Sequence, residues 1–370
     1  MGLNEKFFKS AGGVPVGNEN FQAVTYTGTG STQSTNSLSN QSGTINFKPD
    51  LVWIKARNVA ENHFLADSIR GANKLLQSNN AAQELTTTGG AIASFDTNGF
   101  TLQSTPPNYG INLPPYTYVA WCWKAAASTT TIPASGSQIS SEVRANVAAG
   151  FSIVKWTGTG GTKTVPHGLS NQPKFMFVKN INRAHHGFGY HTDINQTGYI
   201  FIDNTASSKA AWNSGRNEWA NGNQVPTTDV FGVKSYTGND STLYSSNYLG
   251  DNYIAYCWAN IAGYQKIGSY IGNRPLTKTV YTTDNGLVGG ANGFRPRFLM
   301  IKDSSTSGED WIIVDSLREG ASAPTKVLYP NTNGAEDSYT VITFTSNGFT
   351  VGNTGLANTN GATIIYLAIA

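Results

Sequence analysis

"YVAWCWKA" at 118–125 returns as "YIAYCWAN" at 253–260, and this near-copy decides how the chain divides. The run is apolar at almost every position. Without polar alternation it reads as a strand covered on both faces. A third copy, "YLAIA" at 366–370, closes the chain and puts Ala370 at the place of Cys122 and Cys257. Each cysteine then belongs in the core of its own copy, reduced and inert, acting as a small apolar side chain. Equivalent core positions of separate copies lie beyond the roughly 7 Å Cα limit for a disulfide.

Other blocks recur in the same order. "FKPDLVWIK" at 47–55, "QPKFMFVK" at 172–179 and "FRPRFLMIK" at 294–302 each run from Pro to a terminal Lys: Lys55, Lys179 and Lys302. "FQAVTYTGTG" at 21–30 is matched by "FSIVKWTGTG" at 151–160 and, more weakly, by "YQKIGSYIGN" at 264–273. "SFDTNGFTL" at 94–102 is matched by "TFTSNGFTV" at 343–351. The lysines fall at nearly equal intervals of a domain length, far longer than a solenoid repeat.

Within a copy, short β-branched and aromatic runs alternate with Gly, Asn, Asp and Ser clusters, and Asn-Gly in "FDTNGFTL" signals a hairpin. No copy holds a long amphipathic helix. The pattern predicts an all-β chain of three tandem antiparallel β-sandwiches, jelly-roll or lectin-like in arrangement. The divisions are an N-terminal arm over 1–19, repeats over 20–126, 149–262 and 263–370, and a linker over 127–148. In the linker "SEVRA" offers one helical turn. Repeats 2 and 3, almost without spacer, should form a stiff pair, with repeat 1 placed separately.

Only 13% of the residues are charged and the net charge is +3, with no basic run. That balance provides no electrostatic footprint for nucleic acid or an anionic membrane. No stretch of 18 apolar residues exists, and the N-terminus lacks both the apolar region of a signal peptide and a myristoylation pattern. Abundant Gly, Ser, Thr and Asn with 17 Tyr, 17 Phe and 8 Trp describe a folded, turn-rich protein with a neutral polar surface.

The chemistry-bearing candidates are few. His185, His186 and His191, with Asp193, are a conceivable metal cluster, but His186 aligns with His63 and Trp311, which favours a packing position. Asp67 and Arg70 recur as Asp315 and Arg318, preceded by Glu61 and Glu309. Paired acids across roughly 5 to 10 Å serve glycoside hydrolysis; an Asp and Arg three apart at a strand end more often bond each other or turn amides, a structural role. "GTGGTKTV" at 158–165 is a glycine-rich turn without the helix of a phosphate loop. No cofactor is expected. Trp212, Trp219, Tyr244 and Tyr248 stand among Asn, Ser and Gly, a mixture that stacks and hydrogen-bonds sugars.

The string "FKPDLVWIKARN…NHFLADSIRGA…SFDTNGFTL…YVAWCWKA" resembles a module of unknown function common in tailed bacteriophages, especially marine and cyanobacterial ones, where it occurs in tandem in virion structural proteins. The resemblance covers 20–126 strongly, 264–370 moderately and 149–262 weakly; repeat 2 lacks the Asp-Ser-x-Arg element. It implies a virion component with a lectin-like sandwich, assembled in the host cytoplasm, and supplies no catalytic residues. The expected function is a non-enzymatic tail fibre or appendage subunit that attaches to host-surface glycans. A capsid decoration subunit is the alternative and a polysaccharide depolymerase the outsider. Its partners would be other virion proteins and further copies of itself, with Phe7 and Phe8 as apolar plugs anchoring the arm to the particle.

Overall fold

The computed structural model describes residues 17–370, apart from 89–90, 104–108, 195–198, 208–224, 236–244, 319–324, 339–341 and 354. Nearly all regular structure is antiparallel strand. Repeat 1 contributes β1 (Phe21–Thr27), β2 (Leu51–Ala56), β3 (Phe64–Asp67) and β4 (Thr117–Trp123). The segment expected as linker supplies β5 (Thr130–Ile132) and β6 (Ser141–Asn146). Repeat 2 follows with β7 (Phe151–Thr157), β8 (Pro173–Asn180), β9 (Phe188–His191) and β10 (Asn252–Ala259). Repeat 3 has β11 (Gln265–Ile271), β12 (Phe298–Asp303), β13 (Trp311–Asp315) and β14 (Thr363–Ile369).

In every repeat the closing strand pairs with the opening one on one side and with the Pro-to-Lys strand on the other. The orders are β1-β4-β2-β3, β7-β10-β8-β9 and β11-β14-β12-β13. A smaller antiparallel sheet packs across each: strands 33–34, 92–96 and 99–102 in repeat 1, 162–166 and 230–234 in repeat 2, and 278–281, 342–345 and 348–351 in repeat 3. The two hairpins turn on Thr97-Asn98 and Ser346-Asn347, because Asp96 pairs with Gly99 and Thr345 with Gly348. The glycine after each Asn opens the next strand, where a β-carbon would strike Thr35 or the Val280 carbonyl.

The two-sided burial of the closing strands now has a cause. Tyr118, Ala120 and Cys122 of β4 point into the core of their own sandwich, while Val119, Trp121 and Trp123 point the other way. Strand β10 divides likewise, with Tyr253, Ala255 and Cys257 in its own core and Ile254, Tyr256 and Trp258 on the far face. So does β14, with Ile364, Tyr366 and Ala368 against Ile365, Leu367 and Ile369. The far faces of all three sheets meet in one further apolar cluster. At its heart Trp123 lies 5.6 Å from Phe298 and 6.1 Å from Trp258, and Phe175 lies 6.0 Å from Trp311. Repeat 1 is therefore not placed separately. It shares this core with repeats 2 and 3, and burial on both faces of three sheets is the main apolar contribution to stability.

Three sequence alignments need correction. Trp123, Trp258 and Ile369 hold the same register against Phe21, Phe151 and Gln265 of the opening strands, so Gln265, not Tyr264, stands at the place of the two phenylalanines, and Ala368, not Ala370, stands at the cysteine position. Lys55, Lys179 and Lys302 share a register, and the residues across from the last two are Gly187 and Trp311. Gly187 rather than His186 is thus the counterpart of His63, and His191 is the counterpart of Asp67 and Asp315. The linker needs correction too. "SEVRAN" is strand β6, antiparallel to β7 through six residue pairs, and not a helical turn. Arg144 on β6 reaches back to Asp50 of repeat 1 at 2.9 Å.

Candidate functional site

The repeated Asp and Arg lie at the junctions between repeats. Asp67 Oδ1 accepts from the amides of Ile69 and Arg70, and its Oδ2 accepts from Arg70 Nε at 2.5 Å and from the Tyr256 hydroxyl of repeat 2 at 2.8 Å. Asp315 repeats the arrangement: Oδ1 accepts from Leu317 and Arg318 amides, and Oδ2 from Arg318 Nε at 2.6 Å and from Trp121 Nε1 of repeat 1 at 2.9 Å. Each arginine also meets a glutamate, Glu84 at 3.1 Å or Glu336 at 2.9 Å. Burial alone would lower the Arg70 pKa, but Asp67, Tyr256 and Glu84 raise it above its ordinary value. Tyr256 and Trp121 occupy the same place on their closing strands, so one contact has been copied.

Repeat 2 makes the same junction with different chemistry. His191 replaces the aspartate and Ile194, which belongs to the shared apolar cluster, replaces the arginine. Burial lowers the His191 pKa to about 4, so the ring is neutral at pH 7. Nδ1 accepts from the Asp193 amide at 3.2 Å, which leaves Nε2 to donate to the Tyr366 carbonyl of repeat 3 at 3.4 Å. The contacts run from repeat 1 to 2, from 2 to 3 and from 3 back to 1. The three repeats form a closed ring.

The terminal lysines line the same junctions. Lys179 Nζ donates to the Asn80 carbonyl of repeat 1, and Lys302 Nζ to the carbonyls of Glu309 and, in repeat 2, Thr205. Lys55 donates to the Ala56 carbonyl at 2.7 Å and feels Glu336 of repeat 3. Burial lowers all three pKa values to about 8, with neighbouring carboxylates opposing it. Desolvation outweighs the nearby charges here.

One repeated residue escaped the sequence reading. Asn112, Asn247 and Asn358 are fully buried and pin the Gly-rich loop after each opening strand. Their Oδ1 atoms accept from the amides of Thr29, Thr159 and Asn273, and their Nδ2 atoms donate to the carbonyls of Ser31, Gly160 and Leu276. The loop comes so close that a β-carbon on Gly28, Gly158 or Gly272 would strike the carbonyl of Leu113, Tyr248 or Thr359. The available signal was the constant spacing of these asparagines ahead of Tyr118, Tyr253 and Ile364.

In repeat 2 this pinned loop forms one wall of an open trough of about 570 Å3. Residues from β5 to β6 form the other wall, with Thr131, Gln138 and Ser140 opposite Thr157, Thr159 and Lys163. Trp156 lies beneath it, almost wholly buried in the repeat 2 core, its indole N–H donated to the Ser246 carbonyl at 3.1 Å. Of the charged residues at the rim, Glu142 and Lys155 pair at 3.0 Å. The lining offers neutral hydroxyls and an amide. Hydrogen bonds of that kind suit a polyhydroxylated ligand more than an ionic one.

The other sequence candidates scatter. The three histidines take different partners: His186 Nδ1 faces Asp203 at 3.0 Å, which raises its pKa; His185 is buried with its pKa lowered by desolvation; and His191 bonds across the junction. Among the described residues no group of three or more His, Cys, Asp or Glu is placed to hold a metal. Tyr248 carries the Arg183 guanidinium over its ring at 4.3 Å. Trp212, Trp219, Tyr244, Phe7 and Phe8 lie outside the described residues. Cys122 and Cys257 are free and buried, and burial pushes the Cys257 thiol up to about 12.

Sandwich repeats closed into a ring around a shared core define an all-β protein with no helix long and apolar enough to cross a membrane among the described residues. The chain belongs to the family described as "Domain of unknown function (DUF7483)", which matches residues 17–370. That single match spans all three repeats. Nothing among the curated proteins and nothing among the solved structures matches the chain.

Proposed function

We propose that this chain is a non-enzymatic bacteriophage virion structural protein, a tail fibre or appendage subunit that contributes to attachment at host-surface glycans. The virion assignment rests on the motif string of the repeats. The observation that carries the glycan reading is the trough beside β7, with its hydroxyl and amide lining and its rim charges mostly paired. Contacts built from neutral groups lose little affinity as salt rises, because screening acts on charges. The non-enzymatic reading is supported by Asp67 and Asp315, whose carboxylates each accept four hydrogen bonds within the fold and are not free for acid–base work.

Calorimetric titration with oligosaccharides from the host surface tests this. Weak binding that survives a several-fold increase in salt, and is lost in Gln138→Ala with Thr159→Ala, is the expected result. Absence of binding, together with imaging that finds the chain on the capsid lattice, would replace attachment with the decoration reading. The ring supports that second reading, since three repeats of equivalent strand order suit a seat on a threefold position.

A further inference from the structure

The three opening strands occupy equivalent edges, and the chain covers two of them. On β7 the edge is paired with β6 from Phe151 to Trp156. On β1 the outward groups of Thr25 exchange hydrogen bonds with Ser42, and the Thr27 amide donates to the Ser39 carbonyl. On β11 cover stops early. Gln265 exchanges two bonds with Ile261, and the Ile267 amide donates to Asn260 Oδ1. Beyond that, Gly272 donates inward to Ala362, so by alternation Ser269 and Ile271 face outward, and among the described residues nothing meets their backbone groups. In repeat 1 the loop after β1 folds back over the edge. Its counterpart in repeat 3 bonds mainly within itself, from Asp284 to Ala291 and from Gly290 to Leu287, and meets β11 where Lys266 Nζ donates to the Asp284 carbonyl at 2.7 Å.

Exposed apolar side chains concentrate in β11 and the two loops that follow it. Ile271 is 53% exposed, Leu276 65%, Leu287 62% and Val288 74%; elsewhere among the described residues only Val147 and Leu249 are large, apolar and exposed. An uncovered edge beside apolar side chains is a template for an added strand, and folded proteins normally blunt such edges.

We propose that Ser269–Ile271 is a strand-addition site for a second copy of this chain, β11 pairing antiparallel with β11 about a twofold axis near Tyr270. In that register Ser269 of one copy faces Ile271 of the other. Both are outward residues, so each pair exchanges two hydrogen bonds, roughly four in all. The surface is its own complement, as a twofold contact requires, and each Ile271 side chain lies beside Ser269 of the other copy. The chain already shows what fits: on the equivalent edge of repeat 2 its own β6 lies antiparallel. This dimer does not depend on the glycan reading.

Sedimentation of the full chain over roughly a hundredfold range of micromolar concentration tests the proposal. A monomer–dimer equilibrium is expected, weakened at least tenfold in Ile271→Asp and unchanged in Leu249→Asp, which alters an exposed apolar residue away from the edge. A monomer throughout, or a dimer that persists in Ile271→Asp, overturns it. Should Ile271→Asp fail to fold, hydrogen exchange of the wild-type protein decides. Exchange at the Ser269 and Ile271 amides that slows with concentration supports pairing, and fast exchange independent of concentration overturns it.

Discussion

Replacing Asp315 with Asn tests the ring at its closing contact. The two side chains are nearly isosteric, so no cavity forms. Asn keeps an oxygen for the amides of Leu317 and Arg318, but presents an NH2 group to Arg318 Nε and Trp121 Nε1, which are themselves donors. Asp315 and Arg318 are both within 1% of complete burial. Breaking such a pair by removing one partner costs about 3–5 kcal/mol, and an unpaired buried indole N–H adds about 1–3. Arg318 retains Glu336 at 2.9 Å and the Ile313 carbonyl at 3.0 Å, which places the expected loss near 4 kcal/mol in total. The assay is urea unfolding followed in parallel by tryptophan fluorescence and far-ultraviolet circular dichroism. One coincident transition is expected in wild type and variant, since the shared core couples all three repeats. Glu142→Gln, which breaks an exposed pair, should cost under about 1 kcal/mol. A loss below about 1 kcal/mol in Asp315→Asn, or additive effects when it is combined with Trp121→Phe, would refute the reasoning.

Acid should weaken the fold through its buried histidines. His167 and His191 have pKa values lowered to about 4 by burial, so the unfolded chain binds more protons between that value and about 6.5, and stability falls as pH drops through this window. His191→Gln should flatten that dependence, measured as the denaturation midpoint against pH. At the alkaline end the lysines act with the same sign of slope. With folded values near 8, stability should rise from about pH 8 until tyrosine ionisation in the unfolded chain opposes it near pH 10. Lys302→Met should reduce the rise, and a flat midpoint over that range would count against the lysine placement. Asn247→Ala strips the trough loop of its pins and should cost about 2–4 kcal/mol; a thermal midpoint unchanged from wild type would contradict the burial described for it. Finally, neither Cys122 nor Cys257 should react with a thiol reagent until the chain unfolds, and rapid native labelling would place them outside the cores.

The sequence made the copies legible because strand residues in contact on both faces leave little freedom to drift, and so "YVAWCWKA" kept its form. It did not say what covers the second face. An apolar run demands cover but is silent about whether that cover is another sheet of the same repeat or the neighbouring repeats, and Val119, Trp121 and Trp123 turned out to face the latter. The misplacement of Ala370 has an equally physical origin. A slip of two residues keeps every side chain on its proper face, so the pattern of "YLAIA" tolerates either alignment and only the pairing of Gln265 with Ile369 decides. In the linker, small polar composition masked the alternation of Ser141, Val143 and Ala145 with Glu142 and Arg144. Of the site, the Asp–Arg pairs were visible by repetition, while their partners Tyr256 and Trp121 lie far along the chain and carry no local signal.

The contact of Trp121 with Asp315 joins the last repeat to the first, and so the ring has no natural beginning. What three separate subunits would assemble only above some threshold concentration is here an intramolecular event, governed by the lengths of the two connections between repeats. Dilution cannot dissolve it. Covalent linkage also releases the repeats from having to be identical, which a true threefold assembly enforces, and repeat 2 has used that licence twice. It exchanged an ion pair for a neutral histidine and an isoleucine at one face, and it took the preceding segment as an extra strand and trough wall at another. Chains rejoined end to end and reopened before Phe151 or Gln265 should therefore fold to the same body, with any of the three repeats leading.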